Sequence, residues 1–506
     1  MREDGGARDP KLVEKIGHIT ATETRASGPQ WAFAPCVCVA RDDRWGRTYE
    51  SFGEDPALVR RLETVIDGLQ GRPGQLDDAD RVLATAKHYA GDGLTAYGTG
   101  EGDYTVDQGI DQVSRAEFEK LALSPYPTAI RRHHVGSVMP SFSSVDWTED
   151  GLGNPVKMHA SKELVTDVLK DRMGFEGLVI SDWRAIHQIP GDYATQVEIS
   201  VNAGVDMFME PYSGDTVGWR EFITTLTGLV ESGDVSMARI DDAVSRILTA
   251  KFDLGLFEHP YTDRSNIDSI GSRKHRAVAR DAVAKSQVLL KNDDRTLPLK
   301  KNAKQVYVAG SNADSIGDQA GGWTITWQGN STHQIPGDSI LGGIEKTATR
   351  DVTFSEDASA PVPSGAEGVV VVGETPYAEG FGDVGGPQWG YDPGETGQRP
   401  AKTMLLSDAD TQAIKTVCAQ AASCTVLVVS GRPMIVPPEL LGQIDALVAS
   451  WLPGSEGLGV ADVLFGRERF TGKLPVSWPR TVSQEPINIG DANYDPLYRY
   501  GFGLSR

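Results

Sequence analysis

The apolar positions of this chain fall into two alternating rhythms. Over residues 10–26, Leu12, Ile16, Ile19 and Ala26 recur at helical spacing behind an Asp9-Pro10 start, which predicts a helix. Residues 31–39 form a continuous apolar stretch, which predicts a strand. The polar loop ARDDRWGRTYESFGEDP leads from it to a second helix start at Asp55-Pro56. Further apolar bursts predict strands over 82–89, 135–142, 178–181 and 205–209, separated by helical stretches such as 162–170 and 194–202. The best-defined helix covers 236–254, with Ile240, Val244, Ile247, Leu248 and Leu254 on one face and Gly255 as its stop. Strand and helix alternating over about 250 residues predict an α/β fold, a barrel of the (β/α)8 type, with an open doubly wound sheet as the alternative.

A change of domain follows. Residues 258–273 lack apolar periodicity and contain Pro260, Asn266 and Gly271, which suits a surface linker. Beyond them strands at 306–309, 369–372, 425–429 and 446–450 alternate with helices such as 411–421, predicting an α/β sandwich domain over 274–506. Residues 1–257 are then the barrel-like domain. Two loops of the second domain stand out. Residues 375–400 are rich in Gly, Asp, Glu and Pro, and a loop of that length is usually functional or disordered. The stretch GGWTITWQGN, residues 321–330, sets Trp323 and Trp327 among glycines and hydroxyls, which fits either a sugar-stacking platform or buried packing.

Composition narrows the partners. A chain of 506 residues can bury two or more cores, and a formal charge of −21 argues against nucleic acid or an acidic membrane surface. A neutral substrate feels no such penalty. No apolar run approaches the roughly 18 to 20 residues of a membrane span, and MREDGGARDP has neither the basic start nor the apolar segment of a signal peptide. The four cysteines are too few for a disulfide scaffold and show no zinc-site spacing, so no metal and no cofactor is expected. Cys418 and Cys424 flank a short turn and could close a small disulfide loop. Cys36 and Cys38, two apart on one strand face, are expected to be free, packed thiols.

Chemistry gathers at the predicted strand ends. In GFEGLVISDW, residues 174–183, the apolar run ends at Asp182 and Trp183, where Asp182 either meets a ligand or caps the next helix. Arg47, Lys87 and His88 sit at comparable positions, and in a barrel such positions converge on one mouth. Together they offer donors, acceptors and an aromatic face, suited to a neutral polyhydroxylated ligand; no phosphate-binding Gly-rich loop accompanies them. Taken singly, Lys87 or His88 also fits a structural ion pair. Glycoside hydrolysis needs two carboxyl groups, and Asp182 can be the first. Glu374 and Glu379, in the long second-domain loop, are both candidates for the second, and position alone does not choose between them.

The set KHYAGDG, GFEGLVISDW, VLLKNDDRTLPL, GGWTITWQGN, WLPGSEG and LYRYGFGLS resembles glycoside hydrolase family 3, in the branch of β-glucan glucohydrolases and β-glucosidases. The resemblance implies a barrel followed by an α/β sandwich. It also implies Asp182 as nucleophile and the Glu of PYAEGFGD, Glu379, as acid/base. By the same resemblance Arg47, Lys87 and His88 hold sugar hydroxyls, with Glu101 a weaker correspondence, and Trp183 and Trp327, supported by Trp323, clamp the next sugar. The implied activity is a retaining, exo-acting β-glucosidase on β-glucan or gluco-oligosaccharides. β-Xylosidase, β-N-acetylglucosaminidase and a binding remnant without turnover are the alternatives. A retaining site needs its carboxyl groups roughly 5 to 5.5 Å apart, which implies that the 375–400 loop closes over the barrel mouth. Members of this branch begin with further barrel strands. Here five predicted strands stand where a closed barrel needs eight, so the barrel is expected to be N-terminally incomplete. Relatives are commonly exported, and a lost leader would explain the bare N-terminus.

Overall fold

The computed structural model describes residues 1–211, 217–300, 305–387 and 398–505. They form two compact units, each discontinuous in sequence. One, here the barrel unit, comprises Pro10–Val39 and Val59–Ser272; the other, the sandwich unit, comprises Met1–Asp9, Ala40–Leu58 and Arg273–Arg506. The sequence reading kept 1–257 together. Met1–Asp9 and Ala40–Leu58 depart from it for a physical reason: their polar groups bond to the C-terminal chain. Arg8 donates to the Leu474 carbonyl at 2.7 Å, and Glu54 accepts the Ser477 and Ile489 amides at 2.7 and 2.8 Å.

In the barrel unit four parallel strands lie side by side in chain order: β1 (Trp31–Ala32), β2 (Leu83–Tyr89), β3 (Ser137–Pro140) and β4 (Leu178–Val179). The strand predicted over 31–39 is regular only at its start, since Pro35 has no amide to give a ladder; Cys36 regains contact through a single bridge to Lys87. The strand predicted over 205–209 is likewise one bridge, Met207 to Ile180. Helices Pro10–Ser27, Tyr193–Ala203 and Met237–Asp253 match their predicted positions, the last capped by Ser236, whose side chain accepts the Arg239 amide. A small sheet of Ile110–Val113, Ser144–Trp147 and Val156–Lys157 has no counterpart in the sequence reading. Leu83, Met139, Leu178, Ile180 and Leu254 form a core against the strands. β2 and β4 therefore end on polar residues held by apolar strands.

The sandwich unit is built on a six-stranded sheet from β5 (Val288–Asn292), β6 (Gln305–Ala309), β7 (Asp351–Phe354), β8 (Glu367–Gly373), β9 (Ser423–Val429) and β10 (Ala446–Trp451), in the order β7-β6-β8-β9-β10-β5. Only β5 runs antiparallel to its neighbour. The centres of β8 and β9 are continuous apolar runs because both faces are covered. Val370, Val372, Val426 and Val428 enter one core, and Val369, Val371, Leu427 and Val429 enter the other. β8 delivers Glu374 and the loop after it. Of the predicted long loop, residues 388–397 lie outside the described residues.

Candidate active site

In the barrel unit the polar ends of β2 and β4 meet. Asp182 follows β4 and is nearly buried, 9% exposed. Its backbone amide donates to His159 Nε2 at 3.1 Å, and its Oδ1 accepts the Trp183 amide at 2.6 Å. An imidazole nitrogen that accepts cannot carry a proton, so His159 is neutral with its hydrogen on Nδ1. Burial pushes its pKa down to about 3, against a smaller opposing effect of the Ser141 backbone. On the other side of the carboxyl, His88 Nε2 lies 3.6 Å from Asp182 Oδ2, while His88 Nδ1 is 2.7 Å from Asp92 Oδ2. The Asp92 contact orients the ring. Lys87 precedes His88 on β2, its backbone bonded to Pro35 and Val37 at 3.0 and 2.7 Å. Trp183 is 57% exposed and presents an apolar face beside Asp182. Glu101 lies on an exposed turn, where it pairs with Lys157 at 3.4 Å.

In the sandwich unit a second carboxyl is held in a different way. Arg47 grips Glu50 with two parallel bonds, Nε to Oε1 at 2.9 Å and Nη2 to Oε2 at 3.0 Å, and its remaining nitrogen Nη1 reaches Glu379 Oε1 at 3.2 Å. Glu379 has φ 54°, a left-handed conformation that costs a non-glycine residue on the order of 1 kcal/mol. The loop around it overdetermines that shape. Gln328 bonds both the amide and the carbonyl of Ala378, at 2.9 and 3.1 Å, and the Tyr49 hydroxyl donates to the Tyr377 carbonyl at 3.0 Å. Trp323 is 51% exposed and donates its ring N–H to Glu50 at 3.1 Å, whereas Trp327 is half-buried, edge-on to Phe381.

Glu374 has a different character. It is buried at the end of β8, where Arg432 Nη2 and Nε donate to it at 2.7 and 3.1 Å and Ser430 at 2.6 Å. Burial pushes its pKa up, but Arg432 and these bonds outweigh that and leave it below the usual carboxylate range. A carboxylate so held is a poor proton donor.

Residues 5–250 match the Glycosyl hydrolase family 3 N terminal domain and residues 287–506 the Glycosyl hydrolase family 3 C-terminal domain. The chain belongs to glycosyl hydrolase family 3. Its N-terminal domain is accordingly TIM-barrel-like and its C-terminal domain an α/β sandwich. Among family 3 relatives, a periplasmic beta-glucosidase of Salmonella typhimurium is 32% identical, over 97% of this chain and 67% of its own. A lysosomal beta glucosidase of Dictyostelium discoideum is 30% identical over 96% of this chain, which spans only 59% of that relative's length. The crystal structure of an exo-1,3/1,4-beta-glucanase from a Pseudoalteromonas species superposes with a TM-score of 0.86 at 38% identity, covering 99% of this chain and 60% of that one.

Against the family 3 expectation, the barrel unit brings together Asp182, Lys87, His88 and Trp183, and the sandwich unit brings together Arg47, Glu379, Trp323 and Trp327. Within the sandwich unit Arg47 meets Glu379. Three supporting residues escaped the sequence reading. Asp92 lay in view, four residues after His88 within KHYAGDG; Glu50 lay three after Arg47. His159 carried no signal, since only folding brings it under Asp182. The expectation of free thiols at Cys36 and Cys38 is corrected, since they are bonded to each other, whereas Cys418 and Cys424 close the small loop that their spacing allowed. A regular strand would hold Cys36 and Cys38 about 6.6 Å apart, but β1 ends at Ala32 and the Cα atoms approach to 5.3 Å, within disulfide range.

Proposed function

We propose that this protein is a retaining, exo-acting β-glucosidase that removes terminal β-D-glucosyl residues from β-glucan or gluco-oligosaccharides. The observation that carries the reading is the setting of Asp182. Its carboxyl stands at the end of a barrel strand, fixed through its own backbone by a neutral His159 and flanked by His88. Such a carboxylate, turned by its neighbours at the end of a barrel strand, suits attack on an anomeric carbon. Asp182 attacks C1 and forms a glycosyl ester as the leaving oxygen takes the proton of Glu379. Glu379, now a carboxylate, draws a proton from water, and the water oxygen attacks C1 and releases Asp182. Lys87, His88 and Arg47 hold hydroxyls of the terminal sugar, Glu101 lends a weaker contact at its edge, and Trp183 and Trp327, with Trp323, hold the next sugar. The names of the Salmonella and Pseudoalteromonas relatives support glucosides as substrates. Two disulfides fit an oxidising compartment outside the cytoplasm, and no described helix is long and apolar enough to cross a membrane.

The test is hydrolysis of p-nitrophenyl β-D-glucoside by the purified chain and by two variants. Asp182→Ala is expected to lose about 10⁴-fold or more in kcat, with added azide yielding the α-glucosyl azide by a single displacement. Glu379→Ala is expected to lose about 10²- to 10⁴-fold on laminaribiose, less on the aryl glucoside whose leaving group needs no proton, with azide yielding the β-glucosyl azide. Undiminished turnover by Asp182→Ala would overturn the assignment. Faster release from p-nitrophenyl β-D-xyloside than from the glucoside would replace the sugar and keep the mechanism.

A further inference from the structure

Beside the strand ends of the barrel unit lies a cluster that shares His88 and Asp92 with the glycosidase reading and adds two cysteines that it does not use. Cys36, Cys38, His88 and Asp92 each direct one donor atom into a common space, and these four atoms lie within 4.8 Å of one another. All four residues are buried, between 0 and 9% exposed. They converge because Cys36 bridges to Lys87 beside β2, while the turn after β2 carries Asp92 back to His88. A small cavity lined by Cys38, His88, Gly91, Asp92 and Tyr126 adjoins them.

We propose that the Cys36–Cys38 disulfide gates a metal site: once it is reduced, the two thiolates, His88 and Asp92 bind a thiophilic divalent cation of the zinc class. Two sulfurs, one imidazole nitrogen and one carboxylate oxygen are a donor set that zinc takes tetrahedrally. In such a sphere neighbouring donors stand about 3.3 to 3.8 Å apart. The cluster is already gathered to nearly that scale, and opening the bond lets the sulfurs separate to it. A dithiol supplies two electrons and two protons to the Cys36–Cys38 bond and is itself oxidised to a disulfide. The cation then displaces the two thiol protons to solvent. Metal binding commits Asp92 and the His88 ring to the cation and so disturbs the ring that stands 3.6 Å from Asp182. Hydrolysis therefore stops, a consequence that rests on the β-glucosidase reading, whereas the metal site itself does not.

The full chain, reduced with dithiothreitol and desalted without oxygen, is titrated with cobalt(II). One equivalent is expected to produce a thiolate-to-cobalt charge-transfer band and the visible bands of tetrahedral cobalt, absent from the oxidised chain and from the Cys36→Ser/Cys38→Ser variant. In a measurement that needs no variant, one equivalent of zinc is expected to shield Cys36 and Cys38 of the reduced chain from iodoacetamide, with Cys418 and Cys424 still alkylated, read peptide by peptide by mass spectrometry. Absence of the bands, their persistence in the double variant, or equal alkylation of all four cysteines overturns the site. Aryl glucoside hydrolysis by the reduced chain is expected to fall at least tenfold with one equivalent of zinc and to return with a chelator. Cobalt bands in a chain that hydrolyses nothing in any state would support the metal site and overturn the glycosidase.

Discussion

Glu374 and Glu379 carry the same carboxyl five residues apart, and each meets an arginine, yet they are suited to opposite tasks. Arg432 is fully buried and spends its guanidinium on Glu374 and on the carbonyls of Asp43 and Arg44, tying together three stretches of the sandwich unit. Arg47 gives its paired nitrogens to Glu50 and only the last to Glu379. Removing one partner of a buried pair strands the other. Arg432→Ala is therefore expected to destabilise the protein by about 3 to 5 kcal/mol, read as a lower denaturant midpoint. Glu379→Gln should leave that midpoint nearly unchanged while abolishing turnover of unactivated glucosides. If Glu379→Gln were the less stable of the two, the division of labour between the two carboxyls would be reversed. At this scale the sequence carried the residue types but not their environment. Spacing alone left Glu374 and Glu379 equivalent; a motif resemblance chose Glu379, and the paired Arg432 bonds that hold Glu374 ionised are in keeping with that choice. His159 and the bonded Cys36–Cys38 pair were beyond reach because each depends on where a bend brings distant or adjacent backbone.

The element that presents Glu379 is a loop pressed against another loop. A Cβ built on Gly46 would fall inside the van der Waals radius of the Glu379 carbonyl oxygen, and one on Gly382 would overlap Gly46. The RWGR turn and the EGFG turn thus touch backbone to backbone, which only glycine permits. Gly46→Ala is expected to push the Glu379 turn aside and lower kcat by about 10²-fold, the usual cost of an ångström of misplacement. The thermal midpoint should move by only a few degrees, since the strands beneath are untouched; an unchanged kcat would mean that the contact positions nothing. Regular elements were readable where period and burial agree. The helices Pro10–Ser27, Tyr193–Ala203 and Met237–Asp253 fall within a few residues of prediction on their period, and the β6, β8, β9 and β10 strands because apolar runs covered on both faces leave little choice. β7 was missed because its residues are at best half-buried and the signal is weak. β5 has a strongly apolar start, but it runs antiparallel at the end of the sheet and so breaks the strand-helix alternation used to find the others.

For the whole molecule, charge and burial point to one pH response. Buried carboxyls are pushed up in both units: burial raises Glu54 to about 7 and Asp4 to about 6, and lifts Glu63 and Asp111 well above the carboxylate range. Between the unfolded carboxyl value near 4 and these raised values, the folded chain holds protons that the unfolded chain has released. Stability therefore falls as pH rises through that window. Glu54 alone contributes on the order of 3 kcal/mol at the limit. The growing negative charge, −21 at pH 7, acts in the same direction. His159 acts oppositely. Its folded pKa of about 3 lies below the unfolded value of 6.5, so the unfolded chain gains a proton first and stability is lost as pH falls from 6.5 towards 3. With one imidazole set against four raised carboxyls, the balance falls as pH rises above about 4. Thermal unfolding is expected to show a higher midpoint at pH 5.5 than at pH 8. Salt separates the two causes, because it screens repulsion between surface charges and leaves desolvation of buried carboxyls intact. The part of the difference that survives in 0.5 M salt belongs to the buried groups, and Glu54→Gln should shrink it. A midpoint that rises steadily from pH 5.5 to 8 in high salt would mean that these carboxyls are ionised and satisfied in the folded chain.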